Sequence, residues 1–192
     1  MDNQPWLIVG LGNPGTEYAA TRHNVGYLVL DILAQRIGAN MSRHRRAHAH
    51  AAEGRLAGQR VVLLRSRGYM NESGGPVKAA ADYGHVPPTQ IIVIHDELDI
   101  PFGSLRLKFG GGDGGHNGLK SIRRALGGGD FYRVRVGIGR PPDRQDASDY
   151  VLRPFAAAQR KQLPLIFETA ADASEVVIMD GLQVAQNRYH TE

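Results

Sequence analysis

The 192-residue sequence contains no cysteine, and its longest uninterrupted apolar runs, such as 61–64 and 91–94, are four residues long. The absence of cysteine excludes a disulfide framework, a zinc ribbon and a thiol nucleophile, and it fits a reducing compartment. Such short runs cannot cross a membrane, which takes about 20 apolar residues. The first residues also lack the basic and apolar segments of a signal peptide. We therefore expect a cytoplasmic protein with no membrane partner.

Hydrophobic residues make up 42% of the chain and charged residues 22%, an ordinary globular composition that excludes a disordered or fibrous protein. A chain of this length buries roughly 70% of its unfolded surface, so a hydrophobic core can stabilise it without cross-links. We expect one domain spanning residues 1–192, with a C-terminal helical segment at about 156–189.

Lysine is scarce, because 19 of the 23 basic residues are arginine, and the net charge is +4. The charge is unevenly distributed: residues 36–67 sum to +7 and residues 103–140 to +6, with acidic segments between and around them. Arginine is the better planar partner for phosphate. Two basic stretches folded onto one face would make a footprint for a polyanion such as nucleic acid, whereas an ordinary solvated surface is the alternative.

Short apolar runs alternate with helical periodicities, which predicts an α/β sandwich whose mixed, mostly parallel twisted sheet is flanked by helices. Predicted strands cover 6–11, 49–56, 60–65, 90–95, 104–109 and 131–138, and residues 57–59 make a hairpin turn between the second and the third. Predicted helices cover 24–37, 73–83 with Ser73 as the N-cap, and 119–126. The segments between them, at 12–23, 110–118 and 139–149, are predicted to be loops.

The segment 10–15, G-L-G-N-P-G, follows a predicted strand and matches the glycine pattern of dinucleotide-binding sites. In that motif the helix opens at the glycines, so that its N-terminus meets the pyrophosphate. Here helical periodicity starts only near Val25, and Asp31, the acid at about the right distance, lies inside the predicted helix. We therefore interpret the glycines as a tight turn after the strand.

No G-x-S-x-G occurs, so a serine nucleophile is not indicated, and a hydrolase without cysteine would most simply activate water. We interpret His44, His48 and His50, which lie in an arginine-rich stretch without a nearby acid, as surface residues. The segment 95–99, H-D-E-L-D, places acids at the end of a strand, as in two-metal phosphoesterases. We favour the simpler interpretation, in which one acid orients a histidine.

Polar side chains gather at the ends of the predicted strands, namely Asn13, His23, Asn71, Asp96, His116 and Asn117. Open α/β sheets place their sites at the carboxyl ends of strands. A histidine with an aspartate makes a general-base pair, in which the carboxylate fixes the tautomer and stabilises the imidazolium. Asparagine amides donate and accept hydrogen bonds, which suits recognition of a peptide-like group, although a single asparagine is more commonly a turn residue.

Five ordered motifs resemble those of the bacterial peptidyl-tRNA hydrolase family over nearly the whole chain. They are G-L-G-N-P-G at 10–15 with Tyr18 and T-R-H-N-V-G at 21–26, Y-M-N-E-S-G at 69–74, H-D-E-L-D-I-P at 95–101, the glycine-rich segment 111–118 ending in G-H-N-G, and R-V-R-V-G-I-G-R at 133–140. Several ordered motifs are far more specific than one glycine pattern. The segment 65–68 departs from the family's usual approach to the second motif, and Arg67 could alter the rim of the cleft there.

The resemblance implies a monomeric α/β enzyme that needs no metal or other cofactor and cleaves the ester joining a peptide to the 3′ ribose of tRNA. It implies that His23 is the general base, that Asp96 stabilises its catalytic form and that Asn13 distinguishes peptidyl-tRNA from free aminoacyl-tRNA. Contacts with the substrate are implied for Tyr18, Tyr69, Asn71 and Asn117, with Met70 and His116 lining the same cleft. Lys108 and Arg135 resemble a pair that holds the tRNA 5′-phosphate.

Two other functions stay open on the sequence. A non-catalytic RNA-binding relative would keep the basic stretches but would not need both His23 and Asp96, which are present. A metal phosphoesterase built on Asp96, Glu97 and His116 would lose its activity in EDTA. Hydrolysis of N-acetyl-aminoacyl-tRNA by the purified protein without added metal separates these functions.

Overall fold

The computed structural model describes residues 4–190, which form a seven-stranded sheet with helices on both faces. The strands are β1 (Trp6–Gly10), β2 (Ser42–Arg43), β3 (Ala49–Leu56), β4 (Gln59–Ser66), β5 (Ile91–Glu97), β6 (Leu105–Phe109) and β7 (Tyr132–Gly137). The helices are α1 (Val25–Ile37), α2 (Gly74–Gly84), α3 (Asn117–Leu126), α4 (Ala147–Val151), α5 (Ala157–Arg160), α6 (Leu163–Asp180) and α7 (Leu182–Tyr189). Short 3₁₀ turns at Arg22–Asn24, Met70–Glu72 and Pro88–Gln90 lead into α1, α2 and β5.

The strands are arranged in the order β2-β3-β4-β1-β5-β7-β6. The four central strands β4, β1, β5 and β7 run parallel, and the pairs β2–β3, β3–β4 and β6–β7 are antiparallel. The prediction of an α/β fold with a mixed sheet flanked by helices is confirmed. Its parallel part is the centre of the sheet rather than most of it, since three pairs are parallel and three antiparallel. Central parallel strands are buried on both faces, which explains their continuous apolar runs.

Helices cover the two faces of the sheet and divide the core into two layers. On one face α1, α4, α6 and α7 pack against residues such as Ile8, Leu63 and Val134. On the other face α2 and α3 pack against Leu7, Leu64 and their neighbours. The alternation of strand side chains between the faces therefore assigns each residue of the sheet to one layer.

Two predicted local features differ from the structure. Ser73 precedes α2, but its hydroxyl donates to the Met70 carbonyl oxygen at 2.7 Å and does not cap the helix. The Gly74 N–H is instead accepted by the Ser121 hydroxyl at 2.8 Å. The hairpin turn consists of residues 57–58 alone, both with positive φ, as in a type I′ turn.

Sequence analysis missed β2 and α4, and the loop predicted at 139–149 contains the start of α4. Asp146 caps this helix by accepting a hydrogen bond from the Ser148 N–H at 2.9 Å. Elements of two and five residues are too short to display a period, so apolar spacing could not have predicted them.

The start of α1 approaches the sheet closely at two glycines. A Cβ on Gly26 would lie 2.4 Å from the Ile94 carbonyl oxygen, and one on Gly10 would lie 2.4 Å from the Gly26 carbonyl oxygen. Gly15 has a φ of 107°, as expected for a turn, but Gly10 has no positive φ, so the turn interpretation is wrong there. Gly10 instead serves close packing, which holds the residues before α1 over the carboxyl edge of the sheet.

The sequence left open whether the two basic stretches share one face, and the first stretch is divided between both faces of the sheet. Arg55 and Arg60 pair on the side of Ala51 and Val62, which belong to the layer under α2 and α3. Arg43, His50 and Arg65 stand opposite one another on β2, β3 and β4, and Arg65 faces α1, whose Asp31 it approaches to 3.7 Å. Arg135, by contrast, belongs to the face covered by α2 and α3, since its neighbours on β7 point into the other layer. None of the helices within residues 4–190 has the length and apolar character needed to span a membrane.

Candidate active site

A cleft of about 500 Å³ opens where the carboxyl ends of β1 and β5 meet the start of α3. Eight of the sequence-predicted site residues line it together: Asn13, His23, Tyr69, Met70, Asn71, Asp96, His116 and Asn117. An apolar wall of Leu98, Val151 and Leu152 faces them, and two of these three belong to α4 or follow it directly. The crossover connections bring the polar residues together as the strand-end argument predicted.

The carboxylate of Asp96 joins two histidines at the floor of this cleft. His23 Nδ1 lies 2.9 Å from Asp96 Oδ2, and His116 Nε2 lies 2.8 Å from Asp96 Oδ1. His116 Nδ1 accepts the N–H groups of Gly118 and Leu119 at 3.1 and 3.4 Å, so it carries no proton. The proton of neutral His116 is therefore on Nε2, which donates to Asp96.

The same reasoning fixes the state of His23. Asp96 is buried, so the two histidines satisfy its carboxylate from both sides. Because carboxylate oxygens only accept, the Nδ1 of His23 carries a proton and donates it to Asp96. The Nε2 of neutral His23 then carries no proton and has a free lone pair. The side chain lines the cleft, with 12% of its surface exposed. This is the arrangement of a general base oriented by a carboxylate.

The charges of the site reinforce this arrangement. Burial alone would raise the pKa of Asp96, but His23 and His116 and their hydrogen bonds hold that pKa well below its usual range. Burial alone would lower the pKa of His23, but the charge of Asp96 and the hydrogen bond to it raise that pKa above the ordinary 6.5. Asp96 therefore stays ionised at neutral pH and makes His23 a stronger base.

His95 supports the site from below. It is fully buried, its Nδ1 donates to the Asp96 carbonyl oxygen at 2.7 Å, and its ring lies edge-on to that of His116 at 5.0 Å between centroids. Burial, followed by the nearby His116, lowers the pKa of His95 to about 3. His95 is thus neutral, and sequence analysis did not identify its packing role.

The metal interpretation was based on Asp96, Glu97 and His116. Among residues 4–190, the donors close enough to share an ion are those of His23, Asp96 and His116, and Glu97 is not among them. Each carboxylate oxygen of Asp96 already accepts a hydrogen bond, one from His23 and one from His116. These hydrogen bonds occupy the atoms that a metal ion would need.

Asn13 is held at several points. Its Oδ1 accepts the Met70 N–H at 2.7 Å. Its own N–H donates to Asn24 Oδ1 at 2.8 Å, and its carbonyl oxygen accepts from Asn24 Nδ2 at 2.9 Å. Asn24 is almost completely buried and was missed by sequence analysis, although it follows His23 directly in the quoted motif.

The remaining predicted contacts with substrate lie on the rim. Asn71 and Asn117 are exposed, and Tyr69 is 55% exposed. Tyr18 does not line the cleft, but its ring stands edge-on to that of Tyr69 at 6.4 Å. These exposed amides and rings are free to contact a ligand that enters from above.

Lys108 and Arg135 lie outside the cleft, on the edge strand β6 and on its neighbour β7. Burial and then the nearby charges of Arg135 and Arg133 lower the pKa of Lys108. Arg133 is buried and donates to the carbonyl oxygens of Gly111 and Gly129 at 2.8 and 3.1 Å, so it braces the glycine-rich loop. Lys108 and Arg135 are therefore two half-buried positive charges close to each other, and a bound anion would stabilise both.

Arg22, another residue that sequence analysis missed, ties the turn that carries His23 to α4. Its guanidinium donates to the Tyr150 carbonyl oxygen at 3.0 Å and lies 3.8 Å from the centre of the Tyr150 ring. Sequence spacing could not predict this role for Arg22, because its partner Tyr150 is more than 100 residues away.

Known proteins resemble this chain in both sequence and fold. A family profile described as Peptidyl-tRNA hydrolase matches residues 7–192. The chain belongs to the peptidyl-tRNA hydrolase family. A peptidyl-tRNA hydrolase of Frankia alni is 59% identical over 98% of this chain and 95% of its own length, and one of Nocardia farcinica is 57% identical over 97% and 96%. The crystal structure of the Acinetobacter baumannii member of this family matches with a TM-score of 0.91 and 35% identity, over 98% of this chain and 96% of that one.

Proposed function

We propose that this protein hydrolyses the ester between a peptide, or an N-blocked aminoacyl group, and the 3′ end of tRNA, and so returns tRNA for reuse. The observation that carries the proposal is the His23–Asp96 pair, whose free Nε2 faces the cleft of a chain that belongs to the peptidyl-tRNA hydrolase family. A general base of this kind suits ester hydrolysis by an activated water.

In the proposed reaction, neutral His23 takes a proton from water through Nε2, and the resulting hydroxide attacks the ester carbonyl carbon. The negative charge of Asp96 stabilises the imidazolium that forms. Amide donors on the rim, such as Asn71, or main-chain N–H groups hold the developing oxyanion. When the intermediate collapses, the 3′ oxygen of the tRNA leaves and takes the proton from His23. The base is restored, and the water oxygen remains in the carboxyl group of the released peptide.

Other residues bind the substrate in this proposal. Tyr18, Tyr69, Asn71 and Asn117 contact it along the rim, and Met70 and His116 line the cleft beside the ester. Asn13 distinguishes N-blocked substrates from free aminoacyl-tRNA. Lys108 and Arg135, two cations on adjacent strands with the carboxylate of Glu97 nearby, hold the 5′-phosphate. We infer that the enzyme is a cytoplasmic monomer, and light scattering on the purified protein would test the oligomeric state.

The test is hydrolysis of N-acetyl-aminoacyl-tRNA by purified protein, followed as release of deacylated tRNA. We expect turnover without added metal and unchanged turnover in EDTA. Loss of activity in EDTA would favour the metal phosphoesterase built on Asp96. Absence of turnover together with tight tRNA binding would favour a non-catalytic RNA-binding protein.

A further inference from the structure

The orientation of the Asn13 side chain is decided by its partners. A main-chain N–H can only donate, so the atom of Asn13 that lies 2.7 Å from Met70 N must be the amide oxygen. The NH₂ group of Asn13 is then the end left for the cleft, which Asn13 lines. With its oxygen engaged, Asn13 offers a ligand hydrogen-bond donors.

Asn24 fixes the main chain from which this side chain projects. Its side-chain oxygen accepts the Asn13 N–H, and its NH₂ group donates to the Asn13 carbonyl oxygen. The two bonds close a ring between the Asn24 side chain and the two peptide groups on either side of the Asn13 Cα, which leaves the main chain of Asn13 little freedom. Asn24 itself is 1% exposed, so it acts through Asn13 rather than by touching substrate.

We propose that Asn24 and the Met70 main-chain N–H are specificity determinants, which hold Asn13 as a donor-only group so that the site selects substrates whose α-nitrogen is acylated. An acylated α-nitrogen brings a carbonyl oxygen, which accepts a hydrogen bond from Asn13. A free α-ammonium has only donors, so facing the Asn13 NH₂ group it finds no acceptor. This inference rests on the proposed function, and it makes Asn24 a positioning residue.

A pair of variants at position 70 isolates the orienting N–H. Met70→Pro and Met70→Ala both remove the thioether side chain, but Met70→Pro also removes the N–H. Proline fits this position, because Met70 is the first residue of a 3₁₀ turn and the preceding Tyr69 is extended, with φ −71° and ψ 165°. The hydrogen bonds of the turn use the N–H groups of Glu72 and Ser73, so they survive the change.

The measured quantity is the ratio of kcat/KM for N-acetyl-aminoacyl-tRNA to kcat/KM for the same unblocked aminoacyl-tRNA. In Met70→Pro the Asn13 amide is free to turn its oxygen to the cleft, and we expect a ratio about 10-fold lower than in Met70→Ala, the effect of ~1.4 kcal/mol of differential binding. Asn24→Ala should also lower the ratio, with the larger change on the N-blocked substrate. Thermal unfolding of each variant reports whether it is folded.

Three results would overturn the inference. They are equal ratios in Met70→Pro and Met70→Ala, an Asn24→Ala variant that loses activity on both substrates in the same proportion, and a wild-type protein that hydrolyses both substrates equally well. Failure of the proposed function looks different, because the wild-type protein would then hydrolyse neither substrate.

Discussion

A single buried carboxylate organises the proposed chemistry. Because Asp96 is satisfied by two histidines, only the far nitrogen of His23 is free to accept a proton in the cleft. A general base typically contributes 10²–10⁴-fold to a rate, so we expect His23→Ala to lower kcat/KM at least that much. The side chain lies at the floor of the cleft and outside both layers of the hydrophobic core, so the fold and tRNA affinity should persist.

Single-turnover hydrolysis of N-acetyl-aminoacyl-tRNA, with circular dichroism and tRNA titration as controls, measures this effect. Asp96→Asn is the matched variant, and it should cost less, because an amide still orients the ring but does not stabilise its charge. A near-normal rate in His23→Ala would show that the base lies elsewhere.

The pH dependence of kcat/KM follows from the raised pKa of His23. A base works only when unprotonated, so kcat/KM should rise with pH and reach half of its plateau above pH 6.5. In Asp96→Asn the negative charge that raises this pKa is gone while burial, which lowers it, remains. The midpoint should therefore move to lower pH as the plateau falls. A pH–rate series on both proteins tests this, and an unmoved midpoint would mean that another group titrates.

The role of a single residue could be predicted from the sequence where its side chain has only a few chemical functions. Asn13, His23 and Asp96 were placed together correctly, because each lies near the end of a central strand. The hydrogen-bond partners of Asp96 could not be predicted. His95 is adjacent to Asp96 in the sequence, but it bonds to the main-chain carbonyl oxygen of Asp96, whereas the carboxylate bonds to the distant His116. The two hydrogen bonds from the Asn24 side chain to the main chain of Asn13 likewise depend on a turn that the sequence spacing does not predict.

The contact between α1 and the central strands leaves no room for a side chain at Gly26. A Cβ on Gly26 would meet the Ile94 carbonyl oxygen and the Leu11 main chain. Overpacking typically costs about 1–3 kcal/mol, so Gly26→Ala should lower the free energy of unfolding by that amount or more. It should also displace the start of α1 and hence His23, which lowers kcat.

Gly75→Ala in α2 is the control for this change, because a Cβ there has nothing within 4 Å. Alanine is up to about 1 kcal/mol better than glycine inside a helix, so Gly75→Ala should be neutral or stabilising. Urea denaturation of both variants gives the comparison. Equal effects of the two substitutions would mean that α1 can move off the sheet without cost.

The longer elements could be predicted because their apolar residues repeat with the period of a helix or fill a fully buried strand. The role of the glycine motif at 10–15 could be interpreted only from the whole fold. Its first glycine packs on the start of α1, and no local sequence pattern predicts that contact. The wall of the cleft formed by Val151 and Leu152 was missed for the same reason, since α4 is held in place by the distant Arg22.

Two cationic regions of the molecule, one drawn from each basic stretch, lie on opposite faces of the sheet. Arg43, His50 and Arg65 form a row across β2, β3 and β4 on the α1 face, and burial together with these arginines lowers the pKa of His50. Lys108 and Arg135 lie on the opposite face, at the other edge of the sheet. One terminal phosphate cannot contact both regions, so their contributions to tRNA binding can be separated.

We expect Lys108→Ala and Arg135→Ala each to weaken tRNA binding and to lower the slope of log K against log[salt] by roughly 1, because each phosphate contact releases counterions. Arg43→Ala is the matched control, since it removes the same charge from an exposed position on the α1 face. It should leave the slope unchanged. Titrations of tRNA over a salt series measure the slopes, and a short 3′-end mimic without the 5′-phosphate shows whether catalysis is untouched. If Arg43→Ala lowered the slope as much as Arg135→Ala, the RNA would contact both faces and the assignment of Lys108 and Arg135 as the phosphate pair would be wrong.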